Sequence, residues 1–310
     1  MILLLSNSLD VTTDILLPYL TERADVFRFN IDLWRDYTWC LHSTGYELAD
    51  PSGRHCCEAE IGAVYERKVM FNPPYIDVPA LGSGESWLRA EVFNIWASIK
   101  DLAMGSGKLA LIHPSSTGNW YKARQMRMAS RYFPVLPWQM LHACPPELGP
   151  DIVCKVNTGA PTGTGTCFCV SKVNPDHLDL SYPWFLQVCG DSAEEVTVAY
   201  IAGKMFASSL SRENMSTMDS RRTMAEGRAN WEPCELTPDE QNKIRALMQE
   251  TGFSFSRLDF LRTDKGLTFL ELNPNGQFGW IDIQNKRGML TAIADEIMRV
   301  HHRHPAPLRQ

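Results

Sequence analysis

The stretch from Phe255 to Ile281 constrains this chain more than any other. It reads Phe-Ser-Arg-Leu-Asp-Phe-Leu-Arg, then Thr263-Asp264-Lys265-Gly266, then Leu-Thr-Phe-Leu-Glu-Leu-Asn-Pro-Asn-Gly-Gln. Apolar and polar residues alternate on both sides of the turn signal, which is the pattern of a β-hairpin. A turn closing symmetrically about Lys265 sets Asp259 opposite Glu271, within one residue. Side chains two apart on a strand share a face, so Glu271 and Asn273 point the same way. Two carboxylates and an amide oxygen then converge on one patch. Like charges facing each other across a strand pair destabilise it. A cation removes that penalty, and hard oxygen ligands suit Mg²⁺. The alternative is a solvated acidic face, against which Phe260, Leu261, Phe269, Leu270 and Leu272 argue for a buried hairpin.

Upstream, Ile152-Val-Cys-Lys-Val156 places a lysine in an apolar strand. An unpaired buried ammonium is costly, so Lys155 needs an anionic partner. The loop that follows carries Gly159, Gly163 and Gly165, whose unobstructed backbone N–H groups can approach phosphate oxygens. It has no GK[ST], so it is not a Walker A loop. The alternative is a long hairpin loop with an exposed lysine.

The remaining pattern is mixed α/β. Ile2 to Leu5 is an all-apolar run, a strand buried on both faces. A helix follows through Ile15, Leu16, Leu17 and Leu20, then an alternating strand over Val26–Asn30. No GxGxxG follows the first strand, which argues against a dinucleotide site. Ala63 to Met70 reads as a strand with charges in its middle, consistent with an edge strand that uses charge to block pairing. Ser86 to Met104 has the 3.6-residue period of a long amphipathic helix stopped by Gly105. Leu109 to Ile112 is a strand, and Asn119 can cap a helix with Lys122 and Arg124 in its first turns. Tyr182 to Val188 is a short apolar strand. Val196–Tyr200 and Lys204–Ser208 flank Ala202-Gly203 as a second hairpin. Asn214 to Pro233 is polar and holds Met218-Asp-Ser-Arg-Arg222, either a lid or a loop with surface arginines. Thr237-Pro-Asp-Glu240 is a capping box opening a helix to Glu250, closed by Gly252. A last helix runs from Asn285 to Val300.

Bulk properties exclude several classes. The chain has 310 residues, enough for two or three domains, with 44% hydrophobic and 21% charged residues, as in soluble globular proteins. A net charge of −6 without a block of like charge argues against nucleic-acid binding. Nine cysteines without a CxxC pair read as free thiols in a reducing cytoplasm. Met1-Ile-Leu-Leu-Leu is too short for a signal peptide and lacks its basic flank, and no run approaches the ~20 apolar residues of a membrane span.

Leu-Asp-Phe followed by Phe-Leu-Glu-Leu-Asn-Pro-Asn-Gly-Gln resembles the metal-binding end of ATP-grasp ligases. The form Glu-x-Asn-Pro-x-Gly-Gln is most similar to the branch that matures graspetides, side-chain-crosslinked ribosomal peptides of the microviridin type. That resemblance implies an α/β (α+β) ATP-grasp fold with three parts: an N-terminal α/β domain over residues 1–112, a central subdomain over 113–188, and a C-terminal subdomain over 189–310 carrying the metal site. It implies ATP and Mg²⁺ as cofactors. Asp259, Glu271 and Asn273 would hold Mg²⁺ against the phosphates. Lys122, Lys155, Gly163 and Gly165 would hold the phosphates themselves. Backbone at Gln187 and Val188 would read adenine, and Glu195 the ribose. Arg221, Arg222 and Arg257 would serve the transferred phosphate.

The match departs from the family in two places. Thr197 stands where the family has an arginine, which puts one phosphate contact in doubt, and Tyr65-Glu66-Arg67-Lys68 only partly follows the family's aromatic-x-Arg-Arg segment. The reaction implied is activation of Asp or Glu side chains of a precursor peptide (leader and core) as acyl phosphates, then ester or amide closure. Two alternatives are an amino-acid or peptide ligase of the glutamate-adding kind and a nucleotide-binding protein without catalysis. The resemblance also admits a homodimer, although no stretch of the sequence marks an interface.

Overall fold

Every residue of β1 (Ile2–Ser6) is buried, because the strand sits inside a parallel sheet with both faces covered. The computed structural model describes residues 1–67, 83–111, 120–155, 170–214, 230–273 and 275–305. The chain divides into two compact units. One comprises Met1–Gly118, Phe253–Phe255 and Asn275–Gln310, the other Asn119–Gly252 and Ser256–Pro274.

In the first unit, β1 leads through α1 (Val11–Thr21) to β2 (Val26–Asn30). A small antiparallel sheet of β3 (Thr38–His42), β4 (Gly45–Ala49) and β5 (His55–Cys57) follows. Next come β6 (Ala63–Glu66), α2 (Ser83–Gly105) and β7 (Leu109–Ala110). The main sheet has the order β2-β1-β6-β7, all parallel. β6 therefore lies between β1 and β7, which corrects the edge-strand reading for Ala63–Glu66, while Lys68 to Met70 lie outside the described residues. Its charges are accommodated inside: Arg67 is 0% exposed and pairs with Asp10 at 3.1 Å. Arg67 also donates to Asn275 Oδ1 and Gln277 Oε1 at 3.1 Å each, so both terminal nitrogens of the buried guanidinium have acceptors. Trp96, Val92 and Ile99 of α2 pack with Leu3, Leu5 and Phe27 in the core.

In the second unit, α3 (Lys122–Ala129) has Tyr121 at its N-cap position, with no side-chain cap bond. The helix thus starts later than a cap at Asn119 would place it, and Asn119 lies outside the described residues. A four-stranded sheet follows in the order β10-β9-β11-β8, from β8 (Trp138–Leu141), β9 (Ile152–Lys155), β10 (Ser171–Val173) and β11 (Trp184–Val188). A second sheet has the order β14-β13-β12-β15-β16, from β12 (Glu194–Ile201), β13 (Lys204–Ser211), β14 (Glu232–Pro233), β15 (Phe255–Thr263) and β16 (Gly266–Asn273). Ala202 and Gly203 turn the β12–β13 hairpin with φ of 46° and 92°, the two positive values that a tight hairpin turn matching the strand twist requires. α4 (Pro238–Thr251) carries the full capping box: Glu240 N–H donates to Thr237 Oγ1, Thr237 N–H donates to Glu240 Oε2, and Gly252 closes the helix at φ 71°.

The chain then re-enters the first unit as α5 (Gly279–Asn285) and α6 (Met289–Arg303). The last helix, expected over Asn285–Val300, starts four residues later and runs to Arg303; the short helix before it was not expected, and left-handed backbone at Lys286 and Gly288 separates the two. Asp282 accepts the N–H groups of Met289 and Leu290 and so caps α6. Among the described residues no helix is long and apolar enough to cross a membrane, and no cysteine forms a disulfide.

Candidate functional site

Asp259 and Glu271 stand opposite each other in the β15–β16 ladder. They arrive there through an irregularity. Thr263 pairs with Gly266 and Phe260 with Phe269, so an uninterrupted ladder would set Asp259 against Leu270 and turn Glu271 to the face of the fully buried Leu258. One extra residue, Leu270, is accommodated as a bulge. Pairing then resumes as Asp259 with Glu271 and Arg257 with Asn273, which puts four polar side chains on one face while Phe260 and Phe269 meet edge-to-face on the other.

The acidic pair is neutralised by neighbours from four elements. Lys122, the first residue of α3, donates to Glu271 Oε2 at 3.0 Å. Asn273 Nδ2 donates to Glu271 Oε1 at 2.8 Å and to Asp259 Oδ2 at 2.9 Å. Arg257 Nη2 lies 2.9 Å from Asp259 Oδ2, and Thr197 of β12 donates to Asp259 Oδ1 at 2.7 Å. Burial alone would raise the pKa of Glu271, but Lys122, the Asn273 hydrogen bond and Lys155 together hold it well below the usual carboxylate range.

Lys155 ends β9 opposite Phe185 of β11. Its Nζ donates to Oε1 of Gln187 at 2.7 Å, and Gln187 is 0% exposed. Burial pushes the Lys155 pKa down to about 8 despite the pull of Glu271. The charge on Lys155 is therefore held at a cost, a cost that an incoming anion removes. Val188 N–H is engaged by Pro137 O at 2.9 Å. Glu195 lies 3.9 Å from Arg212 Nε, two residues before Thr197 on the same strand. Lys122, Lys155, Gln187, Glu195, Arg257, Asp259, Glu271 and Asn273 all belong to the second unit. Gly163, Gly165, Arg221 and Arg222 lie outside the described residues.

Two contributors escaped sequence reasoning. Gln125, 7% exposed and one turn beyond Lys122, accepts the N–H of Leu272 at 3.1 Å and so fixes α3 to the outer edge of β16. Its only sequence signal is the i, i+3 spacing from Lys122. Thr197 read as a lost arginine; it is a buried partner of Asp259.

Two carboxylates and an amide brought within hydrogen-bonding distance of one another form an all-oxygen donor set once the amide presents its oxygen. That set suits a hard divalent cation such as Mg²⁺. Among the described residues no group of three or more His, Cys, Asp or Glu side chains gathers for a transition metal.

No family model and no curated protein sequence matches this chain. Solved structures do. The RiPP-associated ATP-grasp ligase of Chryseobacterium gregarium, in complex with ADP and a leader and core peptide, is 19% identical with a TM-score of 0.75 over 96% of both chains. The macrocyclase MdnC of Microcystis aeruginosa MRC, bound to precursor peptide MdnA, is 19% identical with a TM-score of 0.78, covering 96% of this chain and 99% of that one. The ATP-grasp ligase PsnB, complexed with minimal precursor, Mg and ADP, is 16% identical with a TM-score of 0.74 over 97% of each chain. The chain has the ATP-grasp fold. The structures it resembles in fold include ATP-grasp ligases crystallised with precursor peptides.

Proposed function

We propose that this protein is an ADP-forming ligase that activates Asp or Glu side chains of a ribosomal precursor peptide as acyl phosphates and closes them onto Ser/Thr hydroxyls or a Lys amine. The observation that carries this reading is the convergence of Asp259, Glu271, Asn273, Lys122 and Lys155 on one side of the second unit. Phosphoryl transfer asks little covalent chemistry of a protein; it asks for cations that hold the phosphates and for exclusion of water from the acyl phosphate.

In this reading residues 1–112 form the N-terminal domain and 113–188 and 189–310 the two halves around the nucleotide, the last stretch from Asn275 returning to the first unit. Asp259, Glu271 and Asn273 would hold Mg²⁺, which when bound screens the phosphate charge. Lys122 and Lys155 bind phosphate oxygens, with Gln187 orienting the Lys155 ammonium. Backbone N–H groups at Gly163 and Gly165 approach the same phosphates, backbone at Gln187 and Val188 reads adenine, and Glu195 accepts from the ribose. Arg257, aligned by Asp259, and Arg221 and Arg222 of the 214–233 segment stabilise charge on the transferred phosphoryl group.

The test is incubation with Mg-ATP and a short Thr-, Glu- and Asp-rich peptide, sought among the reading frames that neighbour the gene for this chain. Peptide-dependent phosphate release with a product lighter by one water per bond supports a macrocyclase. Phosphate release with a product heavier by a second substrate would replace it with a two-substrate ligase, and nucleotide binding without release would replace it with a binding protein.

A further inference from the structure

Each of the four carboxylate oxygens of Asp259 and Glu271 already has a donor: Lys122 Nζ and Asn273 Nδ2 on Glu271, Thr197 Oγ1 and the shared Arg257 and Asn273 nitrogens on Asp259. A third cation, Lys155, acts electrostatically on Glu271 from β9. A divalent ion arriving alone therefore meets carboxylates that are already neutralised, inside a ring of positive charge. We propose that Lys122 is a surrogate cation. It holds Glu271 in the unliganded protein and releases it only when a polyphosphate offers Nζ a new anion, so metal enters with nucleotide and not before it. The proposal rests on the ligase reading above and concerns the order in which that site fills.

The surroundings of Lys122 fit an exchange by side-chain motion. Gln125 accepts the Leu272 N–H at 3.1 Å, which anchors the helix to the strand beside Glu271. The helix thus stays while the lysine side chain, with its four rotatable carbons, turns. Its Nζ lies 5.9 Å from the Phe185 ring, an aromatic face that retains attraction for the cation as it leaves Glu271. Phe185 is paired with Lys155 in the sheet, so the new position lies toward the second phosphate-binding lysine. Phosphates bring several negative charges, which reverses the local balance and makes a divalent ion welcome.

The experiment measures Mn²⁺ binding to the full chain by the EPR signal of free Mn²⁺, with and without ADP and against protein-free Mn²⁺–ADP controls, and ADP binding by equilibrium dialysis, for the wild type, Lys122→Met and Arg257→Met. The wild type should bind Mn²⁺ only with ADP. Lys122→Met should bind Mn²⁺ alone at least about tenfold more tightly than the wild type does, because its competitor for Glu271 is gone. Arg257→Met, which frees one contact to Asp259, should shift in the same direction and carries the test should Lys122→Met fail to fold, as judged by circular dichroism. Wild-type protein that binds Mn²⁺ equally with and without ADP overturns the surrogate role and leaves the ligase reading standing. Folded variants with unchanged affinity for Mn²⁺ alone overturn it too. Wild-type protein that binds neither Mn²⁺ nor ADP removes the ligase reading and the surrogate role with it.

Discussion

Lys155→Met separates the cost of the site from its use. Burial takes the Lys155 pKa from the ordinary 10.5 to about 8. At about 1.36 kcal/mol per unit, the charged form is disfavoured in the folded protein by about 3 kcal/mol. Below pH 8 the lysine is charged in both folded and unfolded chains, so that whole penalty is present. As pH rises from 8 toward 10.5 the folded chain gives up the proton first and the penalty disappears. Stability then rises with pH by up to about 1.4 kcal/mol per unit, since the unfolded state binds more protons.

Methionine keeps the stem and removes the ammonium, at the expense of leaving the buried Gln187 Oε1 without its donor, a loss of about 1–3 kcal/mol. At pH 7 the variant should therefore be as stable as the wild type or up to about 2 kcal/mol more stable. Urea denaturation at pH 7.0, 8.0, 9.0 and 9.5 reads the difference, in which other titrating groups cancel. The wild type should gain about 2 kcal/mol on the variant by the highest pH. The variant should bind ADP far more weakly throughout. A stability difference that stays flat with pH would refute the desolvated lysine.

Three further outcomes are expected. Glu271→Gln should abolish turnover while leaving the melting temperature within a few degrees, since an amide keeps the shape of the side chain and can still pair with Asn273; unfolding on substitution would make Glu271 structural instead. Gln125→Met leaves the Leu272 N–H without an acceptor and should cost about 1–3 kcal/mol in denaturation; it should also weaken ADP binding, whereas Gln125→Glu, which keeps an acceptor, should recover much of that stability, and loss of stability with normal ADP affinity would confine Gln125 to packing. Thr237→Ala breaks the capping box and should cost about 1 kcal/mol without changing ADP affinity, and a changed affinity would tie α4 to the site.

The hairpin was legible from alternation alone, and so was its pairing of Asp259 with Glu271. The means was not. The turn closes tighter than a pattern centred on Lys265 suggests, and the bulge at Leu270 restores the register. A bulge adds one residue without breaking apolar alternation strongly enough to be seen in a single chain. The capping box at Thr237 was legible because both of its partners lie within four residues. Lys122 and Gln125 were not assigned their partners because they meet Glu271 and Leu272 across more than 140 positions of sequence, with |i−j| of 149 and 147. Such contacts depend on topology. The charges in Ala63–Met70 misled for a related reason: they signal an edge only when no partner exists, and Arg67 has Asp10, Asn275 and Gln277.

The most direct measurement is a crystal structure of this chain with Mg²⁺ and ADP. The account predicts one metal bound by oxygens of Asp259, Glu271 and Asn273, with Lys122 moved from Glu271 onto a phosphate beside Lys155. A nucleotide bound elsewhere, or found with Lys122 still on Glu271 and those three side chains free of metal, would contradict it.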